Sequence, residues 1–431
     1  MIPSETNVRP SFTANFRRVI AHPVARNAAL MYLVQFSSYV FPLLTLPYLA
    51  RVLSTDVFGL VAFSQMFVWY FVTLTEYGFN LTATRSIAVA QDAEQVNRIF
   101  GAVMAAKLIL TATGLAIMTG VVLAVPNLRP HLNLYLVSFL AVVGNLLFPL
   151  WLYQGLEKMQ HVALRDFLAK LLSVLLVFVM VHNDSDYLLA AGAQSVGLLV
   201  AGFIGLSRIG RVGVRFERPT WSEVKNQFRQ GWPAFISLAV SAAATVTNTV
   251  MLGFLAPVSE VAFYSGPQRI IATMRTMVSP LSTAIYPHTS KKAAASEPEV
   301  IRFVGKYAWM FAVPFVAAGL VLVVGGPWLV PLFFGTKYRP SIPVLQVMAF
   351  IPALSSLSQA YSTYYMLACG YDKDWMRVVL TTVVVNVVLF LGLIPIMRGS
   401  LAIAVAALLT ETTAALLYWN FFRRRSKELL V

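Results

Sequence analysis

The sequence predicts an all-α polytopic membrane protein, with twelve transmembrane helices in two six-helix lobes and both termini in the cytoplasm. Three observations carry this prediction. Of the 431 residues, 58% are hydrophobic and only 12% are Asp, Glu, Lys or Arg, about half the charged share of a soluble domain. The mean hydropathy is +0.71. The apolar residues lie in runs of helical length, and most of the charges lie between those runs. This composition excludes a cytosolic enzyme, a disordered chain and a disulfide-rich secreted scaffold. Barrel strands would alternate polar and apolar over about ten residues, and no such alternation runs through the chain.

Residues 1–26 are polar and carry Arg9, Arg17, Arg18 and Arg26, with Phe12, Phe16 and Ile20 at helical spacing. They predict a basic amphipathic segment on the inner membrane surface. The apolar run that follows is too long for the core of a cleavable leader and fits a spanning helix. Twelve runs reach the roughly 20 residues a spanning helix needs: 28–50, 57–80, 99–124, 132–153, 164–182, 187–207, 231–255, 260–286, 304–333, 342–368, 376–396 and 400–422. With the N-terminus inside, the inner segments hold 23 Lys and Arg and the outer loops hold 5. That bias sets the orientation. It also accounts for the net charge of +15 without nucleic acid as a partner.

The longest polar interruption separates two lobes, 27–207 and 231–422. Within the 208–230 linker, Thr220-Trp-Ser-Glu223 reads as a capping box that opens an interfacial helix. Residues 423–431 form a basic cytoplasmic tail. The halves resemble each other: Val52–Phe63 aligns with Leu255–Gly266 at an offset of 203, and Gln154–Lys158 with Cys369–Lys373 at 215. Six spans return the chain to the same side, so the repeats are parallel and a substrate path would run between them.

Tyr77-Gly-Phe-Asn-Leu-Thr-Ala-Thr-Arg85, Gln154-Gly-Leu-Glu-Lys-Met159, Gly231-Trp-Pro233 and Ala262-Phe-Tyr-Ser265 resemble segments of Wzx-type polysaccharide flippases. This family belongs to the multidrug, oligosaccharidyl-lipid and polysaccharide exporter superfamily. The resemblance covers most of the chain. It implies a MATE-like V of two six-helix lobes in the bacterial inner membrane. It implies alternating access that moves an undecaprenyl-diphosphate-linked oligosaccharide to the outer leaflet for O-antigen or exopolysaccharide biosynthesis. A polysaccharide polymerase and chain-length machinery would be its partners, besides membrane lipid.

Charges within the spans mark a cavity or a partner. Arg269 lies roughly 13 Å below Glu260, near mid-membrane, and Arg275 roughly 22 Å below. A guanidinium fork suits a diphosphate, so both are candidate substrate contacts, as is Arg26 at the inner mouth. Snorkelling, a neighbouring-helix partner or, for Arg26, simple anchoring are the alternatives. Glu76 and Asn80, with Arg85 beyond them, are read as a gating ion-pair group or an ordinary interfacial one. Lys107 and Glu411 are further candidates for this group, Glu411 also as a proton carrier. Pro42 and Pro47 in the first span, and Pro267 and Pro280 in the eighth, remove helical hydrogen bonds and mark candidate hinges. No resident cofactor is expected, and proton or sodium coupling stays open. There is no Walker A, HExxH or dinucleotide motif, and the five histidines and one cysteine form no metal pattern. Two other readings are a multidrug exporter, which would favour an acidic cavity, and a membrane-embedded polymerase or ligase. The short outer loops weigh against the latter.

Overall fold

The computed structural model describes residues 40–41, 44–277 and 279–430. All regular structure among them is helical. The first half comprises α1 (44–52), α2 (Thr55–Glu76), α3 (Phe79–Ala88), α4 (Ala93–Ala124), α5 (Leu132–Leu147), α6 (Leu150–Gly155), α7 (Met159–Met180) and α8 (Tyr187–Ser207). The second comprises α9 (Trp221–Leu255), α10 (Val258–Thr276), α11 (Ser279–Ala295), α12 (Glu297–Phe334), α13 (Ser341–Met348), α14 (Ile351–Tyr361), α15 (Asp372–Leu393) and α16 (Gly399–Leu430).

The helix starts repeat. Thr55 of α2 and Val258 of α10 are 203 residues apart, and Ala93 of α4 and Glu297 of α12 are 204 apart. Beyond the middle of each half the offset grows: α7 and α15, both 22 residues long, start 213 apart, and α8 and α16 start 212 apart. Part of the increase lies in α12 itself, 38 residues long against 32 for α4, and the rest between the starts of α13 and α15, where a π-helical turn, Ser362–Leu367, extends α14. In both halves the second helix stops short. Helix α2 ends at Glu76 because Tyr77 (φ 45°) and Gly78 (φ 80°) turn left-handed; α10 ends at Thr276 and α11 restarts at Ser279.

Local chemistry explains several starts. Ser54 accepts from the Val57 N–H ahead of α2, and Asp92 from the Gln95 N–H ahead of α4. The predicted capping box forms: Thr220 and Glu223 exchange hydrogen bonds at the start of α9. Those bonds from the Thr220 N–H and hydroxyl hold the Glu223 carboxyl below its ordinary pKa. The linker expectation placed a boundary between an interfacial helix and a span near residue 231. The structure has none there. Helix α9 runs unbroken from Trp221 to Leu255, and Pro233 inside it does not stop it.

Eight segments among the described residues are long and apolar enough to cross a membrane, from Thr55–Ala88 to Gly399–Leu429. The other expected spans fall on α1, α7, α9, and α10 with α11. Helix α7 carries Arg165, Asp166 and Lys170, and α10 carries Arg269 and Arg275. One apolar core joins the two halves. Phe63 and Phe67 of α2 pack edge-on against Tyr135 of α5 and Phe254 of α9. On the outside of the second half, Trp309, Val321, Val324 and Trp328 of α12 are all exposed, an apolar surface suited to lipid rather than water.

Candidate functional site

A cavity of about 230 Å³ lies between the halves. Helices α1, α2, α7 and α8 form one wall, and α9 and α10 the other. The polar groups facing it are Gln65, Lys170, Gln194, Gln268 and Arg269, with several hydroxyls including Thr249 and Ser265. Phe58, Val61, Leu46 and Val177 line the rest. Among the described residues no Asp or Glu lines it, and both charged lining residues are cations. An anion entering this space would meet amides and hydroxyls that can hydrogen-bond oxygen-rich groups.

Arg269 is held by α10, one turn before Thr273, whose hydroxyl donates to the Arg269 carbonyl at 2.9 Å. Among the described residues its guanidinium has no carboxylate partner and no hydrogen bond. An unpaired charge inside a spanning structure costs several kcal/mol. Sequence reading singled out Arg269 but not Lys170. Lys170, on α7, also lines the cavity.

Above the cavity the halves close on one another. Helix α2 approaches α10 so tightly that a Cβ at Gly59 would lie 2.1 Å from the Val258 carbonyl oxygen. Arg51, in the last turn of α1, donates to the Leu332 carbonyl in the last turn of α12. Lys337 donates back to the Leu53 carbonyl and, at 3.3 Å, to the Arg51 carbonyl. Phe58 and Tyr338 pack edge to face at 5.9 Å. None of these groups carried a sequence signal, because a cation capping another helix's carbonyls leaves no motif.

The remaining candidates disperse. Arg275, itself half exposed, is 3.5 Å from Glu411 of α16, an ion pair outside the cavity lining. The expected Glu76–Asn80 face does not exist, since the left-handed turn at Tyr77 and Gly78 lies between the two residues. Arg85 is exposed, and neither it nor Glu76 enters any ion pair among the described residues. Glu76 instead accepts from the Asn145 amide at 3.4 Å, and buried Lys107 donates to the Asn145 carbonyl at 3.1 Å. Pro47 lines a separate, wholly apolar cavity of about 140 Å³ beside Leu46 and Phe334. Pro267 is buried inside an unbroken α10, and Pro280 sits in the first turn of α11. Arg26 and Pro42, like the amphipathic segment 1–26, lie outside the described residues. No group of three or more His, Cys, Asp or Glu among the described residues is arranged to hold a metal ion.

Residues 24–292 match the family model described as polysaccharide biosynthesis protein. A protein of Escherichia coli (strain K12) named "Putative O-antigen transporter" is 31% identical over 400 residues, covering 92% of this chain and 96% of that one. A relative of the same name in Shigella dysenteriae is 28% identical over 394 residues, 91% of this chain and 98% of that one. The fold is similar to that of the lipid II flippase MurJ in an inward closed conformation, with a TM-score of 0.74 at 11% identity and 93% and 91% coverage. It is also similar to an inward-facing multidrug resistance MATE family transporter of the MOP superfamily, with a TM-score of 0.73 at 13% identity and 92% and 98% coverage. The chain therefore belongs to the polysaccharide biosynthesis protein family and has the multi-pass helical fold of the MOP transporters.

Proposed function

We propose that the protein flips undecaprenyl-diphosphate-linked oligosaccharide repeat units from the cytoplasmic to the periplasmic leaflet of the bacterial inner membrane, by alternating access. The observation that carries this reading is Arg269, a guanidinium that faces a cavity between the lobes and, among the described residues, has no carboxylate partner and shares the lining with no carboxylate. Its fork suits a diphosphate, and the glutamine and hydroxyl lining suits sugar hydroxyls. A cation-selective drug exporter would be poorly served by the same lining. The O-antigen transporter name carried by the relatives, and the lipid II flippase fold, support a lipid-linked saccharide as cargo. Polysaccharide polymerase and chain-length machinery would take the product on the far side.

The test is Arg269→Ala and Arg269→Lys, with surface polysaccharide and membrane abundance measured together. Export by Arg269→Ala should fall by tenfold or more, the scale expected for losing a charge-assisted contact of about 1.5–3 kcal/mol, at near wild-type abundance. Arg269→Lys should recover part of it, because a point charge replaces a fork. Full export by Arg269→Ala at normal abundance would remove the phosphate contact.

A further inference from the structure

We infer that the inner end of the first half carries a binding site for the phosphodiester of an anionic membrane lipid, centred on Arg165 and Arg208 and separate from the inter-lobe cavity. The inference is independent of what the cavity transports. Arg165 lies in the first turns of α7, and Arg208 directly follows α8. On the orientation set by the charges, both are at the cytoplasmic side of the membrane.

The site is built from both helices and the end of α5. The Arg165 guanidinium lies over the Phe148 ring, 4.3 Å from its centroid. Phe148 stacks on Tyr153 at 5.4 Å with 15° between planes. The Tyr153 hydroxyl donates to the Gly205 carbonyl at 2.6 Å, tying this stack to α8. Gly205 is required there, since a Cβ would come within 2.2 Å of the Phe148 ring. The arginine is therefore clamped by an aromatic face in a low-dielectric setting.

Its hydrogen bonds are incomplete. One terminal nitrogen, Nη1, pairs with Asp166 at 2.9 Å, and the side chain is 10% exposed. The other two, Nε and Nη2, are buried with no partner among the described residues. These two share one edge of the planar fork, the edge that engages two acceptor oxygens side-on. Leaving them unmade costs more than an ordinary hydrogen bond, because the group is charged and desolvated. A small pocket of about 10 Å³ lies at this site, and Arg208 is on its wall. It has room for roughly one oxygen-sized atom, so a headgroup would seat at the mouth and insert an oxygen. Leu168 lines the same pocket and is exposed at the surface, so the mouth opens onto apolar surface where an acyl chain can lie. Basic pockets between helices on the cytoplasmic side select anionic headgroups from a leaflet already rich in them. The conserved chemistry of such lipids is a singly charged phosphodiester, which matches one guanidinium edge assisted by a second cation.

Native mass spectrometry of the full chain in detergent tests this, with phosphatidylglycerol, phosphatidylcholine of the same acyl chains, or inorganic phosphate added. Wild-type protein should retain one phosphatidylglycerol at concentrations where phosphatidylcholine dissociates. Arg165→Gln should weaken that retention about tenfold or more, and Arg208→Gln less, consistent with a bidentate and a single charge-assisted contact. Asp166→Asn, which leaves both cations in place and removes the competing carboxylate, should strengthen it. Equal retention of both lipids by the wild type would overturn the site. So would unchanged selectivity in folded Arg165→Gln, or weaker retention in Asp166→Asn. Full displacement of phosphatidylglycerol by millimolar inorganic phosphate would overturn the assignment to a lipid.

Discussion

Lys107 is almost completely buried, at 2% exposure, and its ammonium rests on the Asn145 carbonyl while the Asn145 amide donates to Glu76. A lysine in such a place persists because a carboxylate nearby and a carbonyl in contact replace part of its hydration. Removing one member should therefore cost far more than removing two. Lys107→Met keeps the volume but removes the donor to the Asn145 carbonyl and one of the two cations that interact with Glu76, and should lower stability by about 1–3 kcal/mol. Adding Glu76→Gln should return much of that loss. Thermal unfolding of the purified single and double variants measures the coupling; strictly additive losses would show that the two charges do not compensate each other. Arg275 and Glu411 make the opposite case. The Arg275 side chain is 45% exposed, so screening by water and salt weakens the pair. The unpaired Arg269 stands apart from both, which is why it, rather than Arg275, is the residue to test for export.

At the scale of elements, the contacts that close the halves at the Arg51 end of the cavity, the outer end on the orientation expected from the charges, rest on helix ends. A helix C-terminus carries a partial negative charge on its last carbonyls. Arg51 meets that end of α12, and Lys337 meets that end of α1, so each half supplies a cation to the other. Asp184 adds to this corner by accepting from the Ser54 N–H at 2.6 Å. Each contact contributes about 0.3–1 kcal/mol, enough to bias a two-state gate without locking it. Arg51→Gln with Lys337→Gln should therefore favour the opened outer side by severalfold. A cysteine at Ser265, in a background where Cys369 is replaced by serine, reports the change through labelling by a membrane-impermeant maleimide. Gly59→Val should raise labelling further, since its side chain has no space against the Val258 carbonyl. Unchanged labelling in both variants would mean that the closure at the outer end is held elsewhere.

Across the whole molecule, apolar length and charge placement were legible because the bilayer imposes them on every span. The repeat was legible for the same reason, and the helix starts at Thr55 and Val258 reproduce its first offset of 203. The break after Glu76 was not legible, because helical periodicity carries across a two-residue turn that only φ values reveal. Nor was the burial of Arg165, whose neighbour Asp166 reads as a routine surface partner. The cavity came through only in part: Arg269 declared itself as a charge in a span, while Gln65, Gln194 and Gln268 are ordinary residues until the helices bring them together. The orientation is the remaining property that every functional argument shares. With 23 Lys and Arg on one side and 5 on the other, the C-terminus and the segment before α9 should both be cytoplasmic. Green fluorescent protein fused at the C-terminus should then fluoresce, and alkaline phosphatase fused after Leu206 should be inactive, since each reporter matures on one side only. Phosphatase activity after Leu206 would reverse the first half, place Arg165 and Arg208 on the outer side, and turn the proposed direction of flipping around.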